Sequence, residues 1–151
     1  MKYSNILIAV SGLDVDDEAI LIASDLAKRD RAKLLAVYVI EVERAMPLDA
    51  EQSVPIQRAE QILARAQNSA KRAGTTIETD LLQSRAAGPA LVDEARERGV
   101  DLIIVGVPFR KRLENFYVGA TASYLLKNAA CRVWLCRQAA PDDKNVRADK
   151  K

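Results

Sequence analysis

The strongest constraint on the fold is a set of three short, almost unbroken apolar runs in a 151-residue chain: NILIAV at 5–10, LLAVYVI at 34–40 and DLIIVG at 101–106. A strand with one wet face alternates apolar and polar residues. A strand with no alternation must be covered on both faces, as in the middle of a parallel sheet.

The segments between these runs read as helices. Asp14, Asp16, Asp17 and Glu18 place acids at a helix start rather than around a metal, and Ala19, Ile20, Ile22, Ala23, Leu26 and Ala27 then recur at helical spacing. Pro55 suits the first turn of a second helix, with Ile56, Ala59, Ile62, Leu63, Ala66 and Ala70 as its inner stripe and Gly74 as its stop. Residues 75–84 alternate Ile77, Thr79 and Leu81 with Glu78 and Asp80, the pattern of a half-exposed strand near an edge. Gly88-Pro89 opens a third helix with Leu91, Val92 and Ala95 inside and Gly99 at its end. A loop at 107–118 carries Arg110-Lys111-Arg112, 119–130 reads as the last helix and 132–136 (RVWLC) as the last strand. The expected fold class is therefore α/β, an open parallel sheet with helices on both faces, Rossmann-like, in one domain over 1–138, with a polar, disordered tail at 139–151.

Ligands of such sheets sit at the carboxyl ends of the strands, where the winding direction reverses. The first and fourth strands flank that point. The two loops that matter are then 11–14 and 106–119.

Composition excludes several functions. With no histidine, the chain has no Ser-His-Asp or Cys-His catalysis and no His-ligated zinc. No nucleophile–base pair stands out, and no GxxxxGK[ST] loop is present, so no catalytic residue is assigned. A net charge of +2 gives no field for nucleic acid or an anionic membrane. Cys131 and Cys136 lie five residues apart in one strand, point to opposite faces and cannot meet. Reduced thiols, a longest apolar run of seven residues and a poor leader at the N-terminus point to the cytoplasm.

The stretch from Gly106 to Gly119 has two readings. Gly106 ends a buried strand and Gly119 opens a helix, so backbone can approach a ligand there and helix N–H groups can meet phosphate, with the basic triplet adding charge. Equally, the two glycines can be a plain strand-end turn and helix boundary, with the triplet in solvent.

NILIAVSG at the start, AAGPALVDEA at 86–95, DLIIVG at 101–106 and GATASYLLKNAACRVWLC at 119–136 occur in an order and at distances that resemble the universal stress protein family. The resemblance covers nearly the whole chain, from about Tyr3 to Arg137. It implies a five-stranded parallel sheet in the order 3-2-1-4-5 and a homodimer through the last strand, between Arg132 and Cys136. There a partner covers an otherwise exposed edge, and Trp134 packs in the core or at that interface.

Many family members bind ATP through glycine, two residues, glycine, nine residues, glycine and serine or threonine. Carried across, the frame is Gly106, Val107-Pro108, Phe109, then nine residues, then Gly119-Ala120. Phe109 replaces the second glycine, Ala120 the hydroxyl residue, and Ser11 the aspartate that nucleotide-binding members place near the ribose. A phenyl ring at 109 can fill the phosphate space, and each lost hydrogen bond to a charged group costs about 1.5–3 kcal/mol.

The candidate binding residues that follow are Ala9, Val10, Ser11, Val39, Val105, Gly106, Pro108, Phe109, Gly119, Ala120 and Thr121, with adenine between Val10 and Val39. Phe116 and Tyr117 read as loop anchors. The implied function is a stress-response regulatory domain, not an enzyme, that binds ATP or another adenine nucleotide and passes occupancy to a protein partner through the 107–118 loop. The alternative is a ligand-free homodimerisation and protein-interaction module.

Overall fold

The structure, a computed structural model, describes residues 1–49, 53–110 and 118–141. Five parallel strands, β1 (Asn5–Ala9), β2 (Lys33–Glu41), β3 (Glu78–Ser84), β4 (Leu102–Val107) and β5 (Arg132–Arg137), form one sheet in the order β3-β2-β1-β4-β5. Four helices alternate with them: α1 (Val15–Asp30), α2 (Ser53–Arg72), α3 (Ala87–Glu97) and α4 (Ala120–Asn128). The winding reverses between β1 and β4, the order that the family resemblance implies.

The unbroken runs are the buried strands. Ile6, Leu7 and Ile8 of β1 and Leu102, Ile103 and Ile104 of β4 are at most 1% exposed, each contributing about 1.5–3 kcal/mol by leaving water. Alternate residues feed two cores. Ile6, Ile8 and Ile104 pack beneath α1 and α2, while Leu7, Ile103 and Val105 pack beneath α3 and α4. Cys136 joins the first side and Cys131 the second, so the two thiols do face apart; both are free, and burial pushes both above the usual thiol range. β3 is half-buried and at an edge, as its alternation indicates.

Element ends differ from expectation by one to three residues, most at β3, which begins at Glu78 rather than 75. Asp101 lies before β4, and its carboxylate accepts the N–H groups of Ser4 (2.8 Å) and Asn5 (3.0 Å), tying the start of β1 to β4. α1 ends at Asp30, whose carboxylate accepts from Tyr3 N–H (2.9 Å) and Arg29 Nε (2.7 Å). The acids of the α1 start are not all helix caps. Asp17 faces α2, where it accepts from Arg65 (2.6 Å) and Ser69 (2.7 Å), and Asp14 also pairs with Arg65. Burial works against the Asp17 charge, but these donors prevail and hold its carboxyl below the usual range.

Trp134 packs edge-on to the Tyr3 ring at 5.7 Å and remains 38% exposed on β5, the edge strand. Among the described residues, no helix is long and apolar enough to cross a membrane.

Candidate functional site

A cleft of about 410 Å³ opens where β2, β1 and β4 end, at the reversal point of the sheet. Ala9, Val37, Val39 and Val105 give it an apolar floor, and Ala87 and Leu91 of α3 give it one wall. Val118 and the start of α4, from Gly119 to Ala122, form the other wall, with Ser11 and Gly106 at the strand ends between them.

β2 outruns its neighbour. Its pairing with β1 stops at Ala9↔Val37, followed by one bond from Val10 N–H to the Val37 carbonyl (3.0 Å). Val39, Ile40 and Glu41 continue beside Leu82, Gln83 and Ser84 of β3. The other edge of this overhang opens on the cleft, a row of backbone groups that a flat ligand can meet as another strand would.

Two helix starts point into the same space. α4 begins after Gly119, whose φ of 94° is open to glycine and strained for other residues. α3 begins after Ala86. Neither helix has an acid in its first turn or a capping bond from its own cap residue, so their N–H groups retain anion affinity. At α3 one N–H is met from outside the helix: Ala87 N–H donates to Glu41 Oε1 at 3.2 Å. Glu41 is the one charged side chain lining the cleft among the described residues.

Behind the cleft, the β1–α1 turn folds onto its own helix. Asp16, 5% exposed, accepts the N–H groups of Gly12 (2.7 Å) and Ser11 (3.0 Å), and Gly12 adopts a φ of 88°. Burial raises the Asp16 carboxyl above the usual range against the pull of those two N–H groups. The Ser11 N–H is thereby turned to Asp16 rather than to the cleft.

The cleft brings together Ala9, Val10, Ser11, Val39, Val105, Gly106, Gly119, Ala120 and Thr121. Pro108 and Phe109 do not line it. The Phe109 ring lies instead against Arg137 at the end of β5, with the guanidinium carbon 5.4 Å from the ring centroid, and the backbone N–H of Phe109 donates to Gln138 Oε1 at 3.5 Å. The ring therefore does not plug the hollow.

Val10 and Val39 do not face each other across an adenine slot. Val10 packs into the core under α1 and α2, and Val39 packs against the core under α3 and α4. The slot on that second side is made by Ala9, Val37, Val39 and Leu91.

A side chain at position 106 would meet Val15 Cγ1 at 2.8 Å, so packing of α1 against β4 already demands glycine there. Arg110 is described and exposed but does not line the cleft. Lys111, Arg112, Phe116, Tyr117 and residues 142–151 lie outside the described residues.

The sequence reading missed Val37, Glu41, Ala87 and Leu91. Their part depends on β2 running four residues longer than β1 and on where α3 lands, neither of which a local pattern encodes.

The sheet is a doubly wound α/β fold, with an open cleft at the reversal point where ligands of such folds sit. The profile of the Universal stress protein family matches residues 2–137, and the chain belongs to that family. A putative universal stress protein of Staphylococcus haemolyticus is 32% identical over 151 residues, covering 95% of this chain and 90% of that protein. A universal stress protein of Methanocaldococcus jannaschii is 30% identical over 142 residues, covering 90% of this chain and 83% of that protein.

Among solved structures, a universal stress protein in complex with cAMP superposes with a TM-score of 0.69 at 24% identity, covering 90% of this chain and 98% of that one. One from Archaeoglobus fulgidus in complex with dAMP superposes with a TM-score of 0.71 at 21% identity, covering 89% and 98%.

Proposed function

We propose that this protein is a regulatory domain that binds an adenine nucleotide in the cleft and acts through binding, not turnover. The base lies on Ala9, Val37, Val39 and Leu91, with its edge along the β2 overhang. The ribose meets Ser11. The phosphate meets the N–H groups at the start of α4, at Ala120 and Thr121, beside Gly106. The observation that carries this reading is the convergence of an apolar slot, an open strand edge and an uncapped helix start on one cleft of about 410 Å³. That size suits a small ligand. The cAMP and dAMP held by two structural relatives support the same ligand class.

Occupancy acts on the 107–118 segment and, through it, on a protein partner. The assembly is a homodimer through β5, supported by the exposed Trp134 and by the position of β5 at the sheet edge among the described residues. The two free, facing-apart cysteines support a cytoplasmic location.

Backbone amide NMR tests the ligand. With AMP, shifts are expected at Val39, Gly106 and from Gly119 to Thr121; a spectrum unchanged at saturating nucleotide overturns the proposal. Light scattering tests the dimer, with an expected mass of twice 16.6 kDa.

Ser11 and Ala120 favour a second reading, a dimerisation and interaction module without a ligand. In that case AMP leaves the spectrum unchanged and the dimer remains.

A further inference from the structure

Resting on the adenine-nucleotide reading above, we infer that Glu41 determines which purine the cleft accepts, by taking a hydrogen bond from an exocyclic amino group and rejecting a 6-oxo group. Glu41 ends β2, on the overhang beyond the last β1 pair, and lines the cleft at the base end of the slot. It shares the strand face of Val37 and Val39, since alternate strand residues point the same way. A ring lying on those two valines therefore extends toward Glu41.

Its carboxylate is not free to swing. Oε1 accepts the Ala87 N–H at 3.2 Å, which ties the group to the start of α3, the wall opposite the strand. A carboxylate has about four lone-pair positions, so accepting one bond leaves acceptors over. An ionised carboxylate only accepts. It stabilises an amino group that donates and repels a carbonyl oxygen at the same place. No lining side chain among the described residues is a cation that could reverse that sign.

The test compares AMP with IMP, in which a 6-oxo group replaces the 6-amino group and N1 carries a hydrogen, by calorimetry on the full chain and on Glu41→Gln. Glutamine keeps an oxygen for the Ala87 N–H and turns an NH₂ donor toward the ligand, so the fold is retained while the sign of recognition changes. The wild type is expected to bind AMP roughly 10–100-fold more tightly than IMP, the equivalent of one charge-assisted hydrogen bond. In Glu41→Gln that ratio is expected to fall to about one or to invert, through both weaker AMP and stronger IMP binding.

Glu41→Ala serves as a second variant. It loses the AMP preference, and IMP gains only the relief of the carboxylate's repulsion, less than in Glu41→Gln, which adds a donor. Equal binding of AMP and IMP by the wild type, or an unchanged ratio in Glu41→Gln, overturns the role of Glu41 and leaves nucleotide binding intact. Failure of both nucleotides to bind the wild type overturns the adenine-nucleotide reading, and this inference with it.

Discussion

The guanidinium carbon of Arg137 stands 5.4 Å from the centroid of the Phe109 ring, which ties the second residue after β4 to the end of β5. A phenyl ring in place of a phosphate-loop glycine would otherwise be free to turn into the cleft. Held against the edge strand, it stays out of the cleft lining. Phe109→Gly is therefore expected to change AMP affinity by less than about threefold, well short of the ~1.4 kcal/mol of a tenfold change. Loss of the cation–π contact is expected to lower stability by about 0.5–1 kcal/mol. Titration calorimetry and urea unfolding read the two effects separately. A tenfold rise in affinity would show that the ring obstructs the site.

Ala120 is the first residue of α4, where a hydroxyl would sit at the proposed phosphate position. Ala120→Ser is expected to tighten AMP binding about two- to tenfold, the worth of one added hydrogen bond. Adenosine, which has no phosphate, serves as the control and should gain nothing. Equal gains for both ligands would move the phosphate away from α4.

Gly88 is where α3 and α4 touch. A Cβ there would stand 2.7 Å from both Cβ and Cγ of Tyr124. Gly88→Ala is expected to cost about 1–3 kcal/mol in urea unfolding, because overpacking displaces one helix from the other. AMP binding should weaken as well, since both helix starts line the cleft.

Much of the architecture is legible in the chain because the runs at 5–10 and 101–106 have no polar face and must be central, while the alternation around Ile77 to Leu81 marks an edge. The Gly106 and Gly119 ends of the site are legible for a similar local reason: each closes or opens an element. Glu41 and Leu91 are not. Their part depends on β2 outrunning β1, which is a matter of register between strands and of where α3 lands on the sheet. The direction of Phe109 is equally invisible, since Arg137 is brought to it only by the pairing of β5 with β4. The α1 acids show the same limit. Asp17 turns to Arg65 because α2 packs beside α1, and no local pattern encodes that.

Asp30 provides a pH signature. The Arg29 guanidinium and the Tyr3 N–H hold its carboxyl at about 2, against 3.8 for the free group. The folded state therefore favours the ionised form. Its contribution is complete above about pH 4 and is lost as the pH falls through about 2. Asp30→Asn is expected to lower the urea midpoint by a constant amount at neutral pH, and the difference from wild type should close over that acid window. A difference that persists at the acid end would show that the carboxylate charge is not what fastens Tyr3.

The most direct measurement is titration of AMP into the purified, nucleotide-free protein by calorimetry at 25 °C. The expected result is a saturable one-site isotherm with Kd at or below about 1 mM, about −4 kcal/mol of binding free energy. Absence of saturable heat with AMP, ADP and ATP alike, at nucleotide concentrations well above that value, would contradict nucleotide binding and leave the fold, the family and the β5 edge as what this chain offers a partner.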